Sequence, residues 1–247
     1  MKIGVIGYGN LAKALLQGIS NGNISKSDIT ITAKSSESIL LAKSNGFCAT
    51  ESISKIFEND LIIIAVKPVV FNSLIPLIPT NFTGKVVSTM ACYSLSELKK
   101  VFKNNSVLRI MPSLLSSGGN DIIATCGDSE NFSEFISLLK NAGKVVVTNE
   151  EKFNAYLVAV SCGIGFSAYI VESYNKALKS LDLTNEESQE ITKALFTASA
   201  NLSNREEFYN KVATKGGVTE RGLTSFNESG LNEVVEKGIL SAYEKVK

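Results

Sequence analysis

The chain contains no histidine and no tryptophan, and only four prolines and four cysteines in 247 residues. The missing imidazole removes the Ser-His and Cys-His nucleophilic pairs, the commonest general base near neutral pH and most zinc catalysis. Any reaction must then take its chemistry from a cofactor, or from hydroxyls, carboxylates and amides, and no metal-ligand set is read. Cys48, Cys92, Cys126 and Cys162 lie far apart and form no Cys-x-x-Cys. They read as small apolar residues in a reducing compartment. An excess of one charge is also missing, with 25 Lys and Arg against 24 Asp and Glu. A partner held by bulk charge, such as nucleic acid or an anionic membrane, is excluded on that ground. Glycines interrupt the start, Met1-Lys2-Ile3-Gly4-Val5-Ile6-Gly7, and the apolar run Leu61 to Val66 ends at Lys67. Neither a secretory leader nor a membrane span is read, and the expectation is a soluble, cytoplasmic protein with a small-molecule substrate.

What is present is a rhythm of short Ile- and Val-rich runs at 2–6, 29–33, 61–66, 85–90, 107–111, 122–125 and 145–148. Helix-period segments stand between them at 10–20, 36–44, 94–102 and 130–141, with Ser94 and Glu97 spaced as a capping box. This alternation predicts an α/β fold, a doubly wound and mostly parallel sheet of Rossmann type. After Asn149 the β-branched runs stop and amphipathic segments take over; Thr184 and Glu187 form a second capping box, opening a helix to about Leu202. The expected organisation is therefore a dinucleotide-binding domain over 1–148 and an all-α substrate and dimerisation domain over 149–247. The first carries 14 basic and 10 acidic residues, the second 11 and 14. That asymmetry favours an anionic ligand on the first.

Gly7-Tyr8-Gly9-Asn10-Leu11-Ala12 follows a strand and opens a helix, as the dinucleotide fingerprint requires. Gly7 permits the tight turn, Gly9 lets backbone approach a pyrophosphate, and the helix start at Asn10 and Leu11 offers amides and positive dipole. The second strand ends Ala33-Lys34-Ser35-Ser36, where an acidic residue would select NAD. Lys34 and Ser35 suit a 2′-phosphate instead, so NADPH is expected over NADH, although Lys34 also reads as an ordinary solvated lysine. Ala65-Val66-Lys67-Pro68 lies at the carboxyl end of another buried strand, where open parallel sheets bind ligands, and reads either as cofactor contact or as turn punctuation.

Together with Arg109-Ile110-Met111-Pro112 and Gly216-Gly217-Val218-Thr219, these segments resemble the pyrroline-5-carboxylate reductases, which reduce a cyclic imine to proline with NAD(P)H. The resemblance implies that Ala65 to Pro68, Met111 and Pro112 lie along the nicotinamide half. It also implies dimerisation through C-terminal helices, and so a homodimer or a ring of dimers. Thr219 is the candidate proton donor to the imine nitrogen. Amides around Gly216 and Gly217, with the Thr214 hydroxyl, are candidates for holding the substrate carboxylate. The same turn also reads as a glycine C-cap followed by a threonine N-cap.

Three departures from the family pattern stand out: Ser113-Leu114-Leu115 in place of Asn-Thr-Pro, Cys162-Gly163-Ile164-Gly165 at the start of the helical part, and Glu220-Arg221 where hydrophobic residues are usual. They leave open a reductase for another imine or keto acid, or a non-catalytic NADP-binding or regulatory paralogue.

Overall fold

The computed structural model describes residues 1–246. Two compact units emerge, Met1–Ser161 joined by Val246, and Cys162–Lys245.

In the first unit the strands are β1 (Ile3–Ile6), β2 (Ile29–Thr32), β3 (Cys48–Ala49), β4 (Leu61–Ile64), β5 (Lys85–Ser88), β6 (Val107–Met111), β7 (Asp121–Gly127) and β8 (Gly143–Val147). They form one sheet in the order β3-β2-β1-β4-β5-β6-β7-β8. Every pairing is parallel except β6 with β7. The helices are α1 (Asn10–Ile19), α2 (Ser36–Ser44), α3 (Pro68–Leu74), α4 (Leu95–Val101), α5 (Ser133–Leu139) and α6 (Glu150–Tyr156). Strand periodicity divides the core. Leu61 and Ile63 of β4 join Ile3, Leu15, Leu16, Ile110 and Phe135 in one cluster, while Ile62 and Ile64 join Phe71, Leu98 and Phe102 in the other. A strand buried on both faces needs apolar residues at every position, and β4 has them.

Two elements went unread in the sequence. β3 is only two residues long. α3 begins with Pro68 at its first position, where the lost N–H has no helical partner to forfeit, so the Lys67-Pro68 pair starts a helix while also ending a strand segment.

The change of pattern at 148–149 coincides with the start of α6, yet the compact unit built on the sheet runs on to Ser161. Phe153, Leu157 and Val158 are buried in it, and Asn154 Nδ2 donates to the Val246 carbonyl at 2.6 Å. α6 passes through a π-helical stretch, Leu157–Cys162, whose Ser161 hydroxyl donates to the Pro112 carbonyl at 3.0 Å.

The second unit is helical: α7 (Gly163–Lys179), α8 (Asn185–Ala200), α9 (Arg205–Val212), α10 (Val218–Glu228) and α11 (Leu231–Glu244). Among the described residues one helix, Glu150–Lys179, is long and apolar enough to cross a membrane by length and composition. A span was not read there, because Gly163, Gly165 and scattered polar residues break its apolar run.

Candidate functional site

The strand order reverses direction between β1 and β4, the place where open parallel sheets bind ligands beyond their carboxyl ends. The turn after β1 lies there. Gly7 has φ +103°, donates its N–H to the Thr32 carbonyl at 2.8 Å, and a Cβ on it would meet the Ala65 carbonyl at 2.5 Å and the Val66 side chain at 2.7 Å. The protein itself therefore requires glycine at position 7. Gly9 is different: as N-cap of α1 it has ordinary extended backbone, and no atom lies within 4 Å of its would-be Cβ. Nothing in the fold demands glycine there, so the open space it leaves suits a ligand approaching the backbone. α1 has neither an acidic residue in its first turn nor a side chain capping it. Its first amides and dipole are free for anionic oxygens. The turn fits a dinucleotide pyrophosphate.

Lys34 is exposed and pairs with no carboxylate among the described residues. Ser35 is engaged: its hydroxyl accepts from Ser38 N at 3.2 Å and donates to Ser38 Oγ at 2.9 Å, as N-cap of α2. Of this pair, Lys34 is the group left available to a phosphate.

Ala65 and Val66 abut Gly7, and the Thr89 amide and hydroxyl both donate to the Ile64 carbonyl, so the turns after β1, β4 and β5 are laced together. Met111 and Pro112 are buried at the end of β6. Beyond them the chain makes a short 3-10 helix, Leu114–Gly118, knotted by Asp121. That buried carboxylate accepts from Ser113 N at 2.6 Å, Ser113 Oγ at 2.8 Å, Ser116 Oγ at 2.5 Å and its neighbour Ile122 N at 2.8 Å. Ser113 thus supports the loop, while Leu114 and Leu115 are exposed.

A second constellation escaped the sequence reading. Arg109 is 2% exposed and ion-pairs with Glu150 at 2.5 Å. It also donates to the Met90 and Ala91 carbonyls at 3.3 and 2.9 Å and lies over the Phe153 ring at 4.1 Å. Glu150 accepts in addition from Leu95 N and from the Cys126 thiol, each at 2.9 Å. Burial, then the hydrogen bond and charge of Glu150, push that thiol up to about 12, so it stays protonated and inert. The group anchors the loop after β5. Its signal was the lone arginine inside the apolar strand Val107–Met111, a charge that must find a partner when buried.

In the second unit, Thr214, Gly216 and Gly217 form the turn that leads into α10, and Thr219 lies in its first turn. Gly217 is the N-cap and donates to the Thr214 carbonyl at 2.8 Å. Gly216, at φ +74°, donates to Glu220 Oε2 at 2.6 Å. The two glycine amides read as free for a substrate carboxylate are therefore both taken within the chain. Gly217 closes the turn geometrically, and Glu220 sits four residues beyond Gly216, within side-chain reach of it. Thr219 is the second helical residue, exposed, and its hydroxyl makes no hydrogen bond among the described residues. It does not cap the helix. The amides of Val218 and Thr219 are first-turn groups without helical acceptors.

Residues 150–247 match the family model for pyrroline-5-carboxylate reductase dimerisation. Residues 2–92 match that for NADP oxidoreductase, coenzyme F420-dependent. The pyrroline-5-carboxylate reductase of Staphylococcus aureus is 25% identical over 261 residues, covering 99% of this chain and 96% of the relative. That of Aquifex aeolicus is 25% identical, covering 100% and 97%. Among solved structures, 1-pyrroline-5-carboxylate reductase from Streptococcus pyogenes aligns with a TM-score of 0.91 at 24% identity, over 100% of this chain and 98% of that one. Plasmodium falciparum pyrroline carboxylate reductase with NADP bound aligns at 0.88 and 19%, over 100% and 97%. The structural likenesses speak for a shared fold, the helical part matches the dimerisation model of the pyrroline-5-carboxylate reductases, and the whole chain is similar from end to end to enzymes of that name.

Proposed function

We propose that the protein is an NADPH-dependent cyclic-imine reductase of the pyrroline-5-carboxylate type, forming proline, and that it works in the cytoplasm as a homodimer or a ring of dimers. The observation that carries this is the Thr214–Thr219 turn. It places an unpartnered threonine hydroxyl at the start of a helix, in the segment that matches the dimerisation family.

Gly7, Gly9, Asn10 and Leu11 hold the pyrophosphate. Lys34 takes the 2′-phosphate, with Ser35 setting the loop through its cap. Ala65, Val66, Lys67, Pro68, Met111 and Pro112 form the nicotinamide side. When bound, NADPH supplies the hydride, the part of the reaction no side chain here can perform. Thr219 donates a hydrogen bond or proton to the imine nitrogen as the carbon is reduced, a task one placed hydroxyl can meet. Thr214 and the first-turn amides of α10 orient the substrate.

The test is NADPH oxidation by the purified protein with pyrroline-5-carboxylate, with proline measured as product. Stoichiometric proline is the expected result. NADPH binding without turnover on this or other cyclic imines would instead make the protein a non-catalytic NADP-binding paralogue.

A further inference from the structure

We infer that Glu220 is a specificity-determining residue. Its carboxylate takes the Gly216 amide of the substrate turn and sets a negative charge there, and so lowers the preference for pyrroline-5-carboxylate over cyclic imines that carry no carboxylate. This rests on the reading of the Thr214–Thr219 turn given above, and concerns the substrate preference of that same turn.

Glu220 Oε2 accepts the Gly216 N–H at 2.6 Å, the short distance of a charge-assisted bond. The Gly217 N–H is spent on the Thr214 carbonyl. No Lys or Arg among the described residues forms an ion pair with Glu220, so its negative charge, held by the Gly216 amide in the first turn of α10, is not neutralised by a cation. An incoming carboxylate meets one amide already filled and a like charge in the same turn. A neutral cyclic imine meets neither obstacle. Its protonated form, an iminium cation, is drawn by the same carboxylate that repels an anion. The reaction is unchanged in kind: the C=N carbon gains hydride from NADPH, the nitrogen gains a proton, and a secondary amine leaves with NADP⁺.

A glutamate that only tidied the helix start would affect all substrates alike when removed. One that occupies an anion position affects carboxylated and uncarboxylated substrates differently. The full-length protein and its Glu220→Ala and Glu220→Gln variants are compared for kcat/KM with pyrroline-5-carboxylate and with 1-pyrroline. The expected result is a rise of roughly tenfold or more in the ratio of the first to the second in Glu220→Ala. Glu220→Gln, which loses the charge and keeps an acceptor for Gly216, gives a smaller rise and serves alone if the alanine variant fails to fold. In parallel, L-proline and pyrrolidine are titrated calorimetrically into the NADP⁺-loaded proteins, where proline is expected to tighten relative to pyrrolidine in the variants. An unchanged substrate ratio in folded variants overturns the assignment. If no form of the protein reduces either imine, the imine-reductase reading fails and the proline titration decides alone: tightening supports Glu220 as the occupant of an anion position, and equal or absent proline binding overturns it.

Discussion

Thr219 caps nothing, and that separates its chemistry from its structural worth. Thr219→Val keeps the β-branched shape at a position of similar helix propensity and removes only the hydroxyl. The expected outcome is a loss of ~10²–10³ in kcat, with NADPH affinity within about twofold and an unchanged melting temperature, while Thr219→Ser retains much of the rate. Steady-state kinetics and thermal melts on the same preparations check it. Lys34 carries a second expectation. With Ser35 committed to α2, the lysine is the side chain left to distinguish a 2′-phosphate from a hydroxyl. Losing one charge-assisted contact costs ~1.5–3 kcal/mol, so Lys34→Ala should reduce the preference for NADPH over NADH by roughly tenfold or more, read by calorimetry. The tight turn at Gly7 and the open backbone at Gly9 were legible in the sequence because the fingerprint encodes backbone geometry. The Gly216–Glu220 bond was not. Glu220 stood out there as an unusual residue, but only the turn's conformation shows that it reaches back to an amide.

Among the elements, both capping boxes read from spacing form as expected. Ser94 Oγ accepts from Glu97 N at 3.2 Å while Glu97 accepts from Ser94 N at 2.7 Å, and Thr184 with Glu187 repeats the arrangement at 3.2 and 2.8 Å. Such local pairs are legible because their partners are three residues apart. Arg109 with Glu150, separated by 41 positions, is not. The boxes also set a pH dependence. The hydrogen bonds from the Ser94 hydroxyl and amide hold the Glu97 carboxyl below its ordinary value, and those from Thr184 do the same for Glu187. A depressed carboxyl contributes stability that is fully present above its unfolded pKa and is lost as pH falls through the folded one. Ser94→Ala should cost ~1 kcal/mol at pH 7. Its deficit against wild type in urea unfolding should shrink below about pH 4, as Glu97 protonates in both proteins.

Among the described residues the sheet unit holds a buried apolar core, and the helical unit buries no large apolar side chain of its own. Ile170, Leu231, Val235, Ile239 and Leu240 line one apolar groove on the second unit, and Tyr169, Phe226 and Val234 are exposed as well. Faces of this extent, in a segment that matches a dimerisation model, belong against another copy. We expect light scattering to give a dimer or a multiple of dimers, and Ile239→Asp to shift the population to monomer. A wild-type monomer that stays folded and binds NADPH across working concentrations would refute the assembly. The division of the chain into a sheet half and a helical half was plain from periodicity. That the first helical turns after Asn149 pack into the sheet unit was not, because Phe153 packs against Arg109, which lies on a distant strand. The Asp121 knot has a further effect at this scale. One carboxylate grips Ser113 and Ser116 on the near side of the loop and stands at the head of β7 on the other, so the excursion between β6 and β7 cannot open without loosening both strands. The segment Ser113-Leu114-Leu115 is then, in its thermodynamics, tied to the sheet: the Ser113 amide that Asp121 holds exchanges with solvent only as that grip loosens, and the loop meets a ligand as a fixed relief instead of a closing flap.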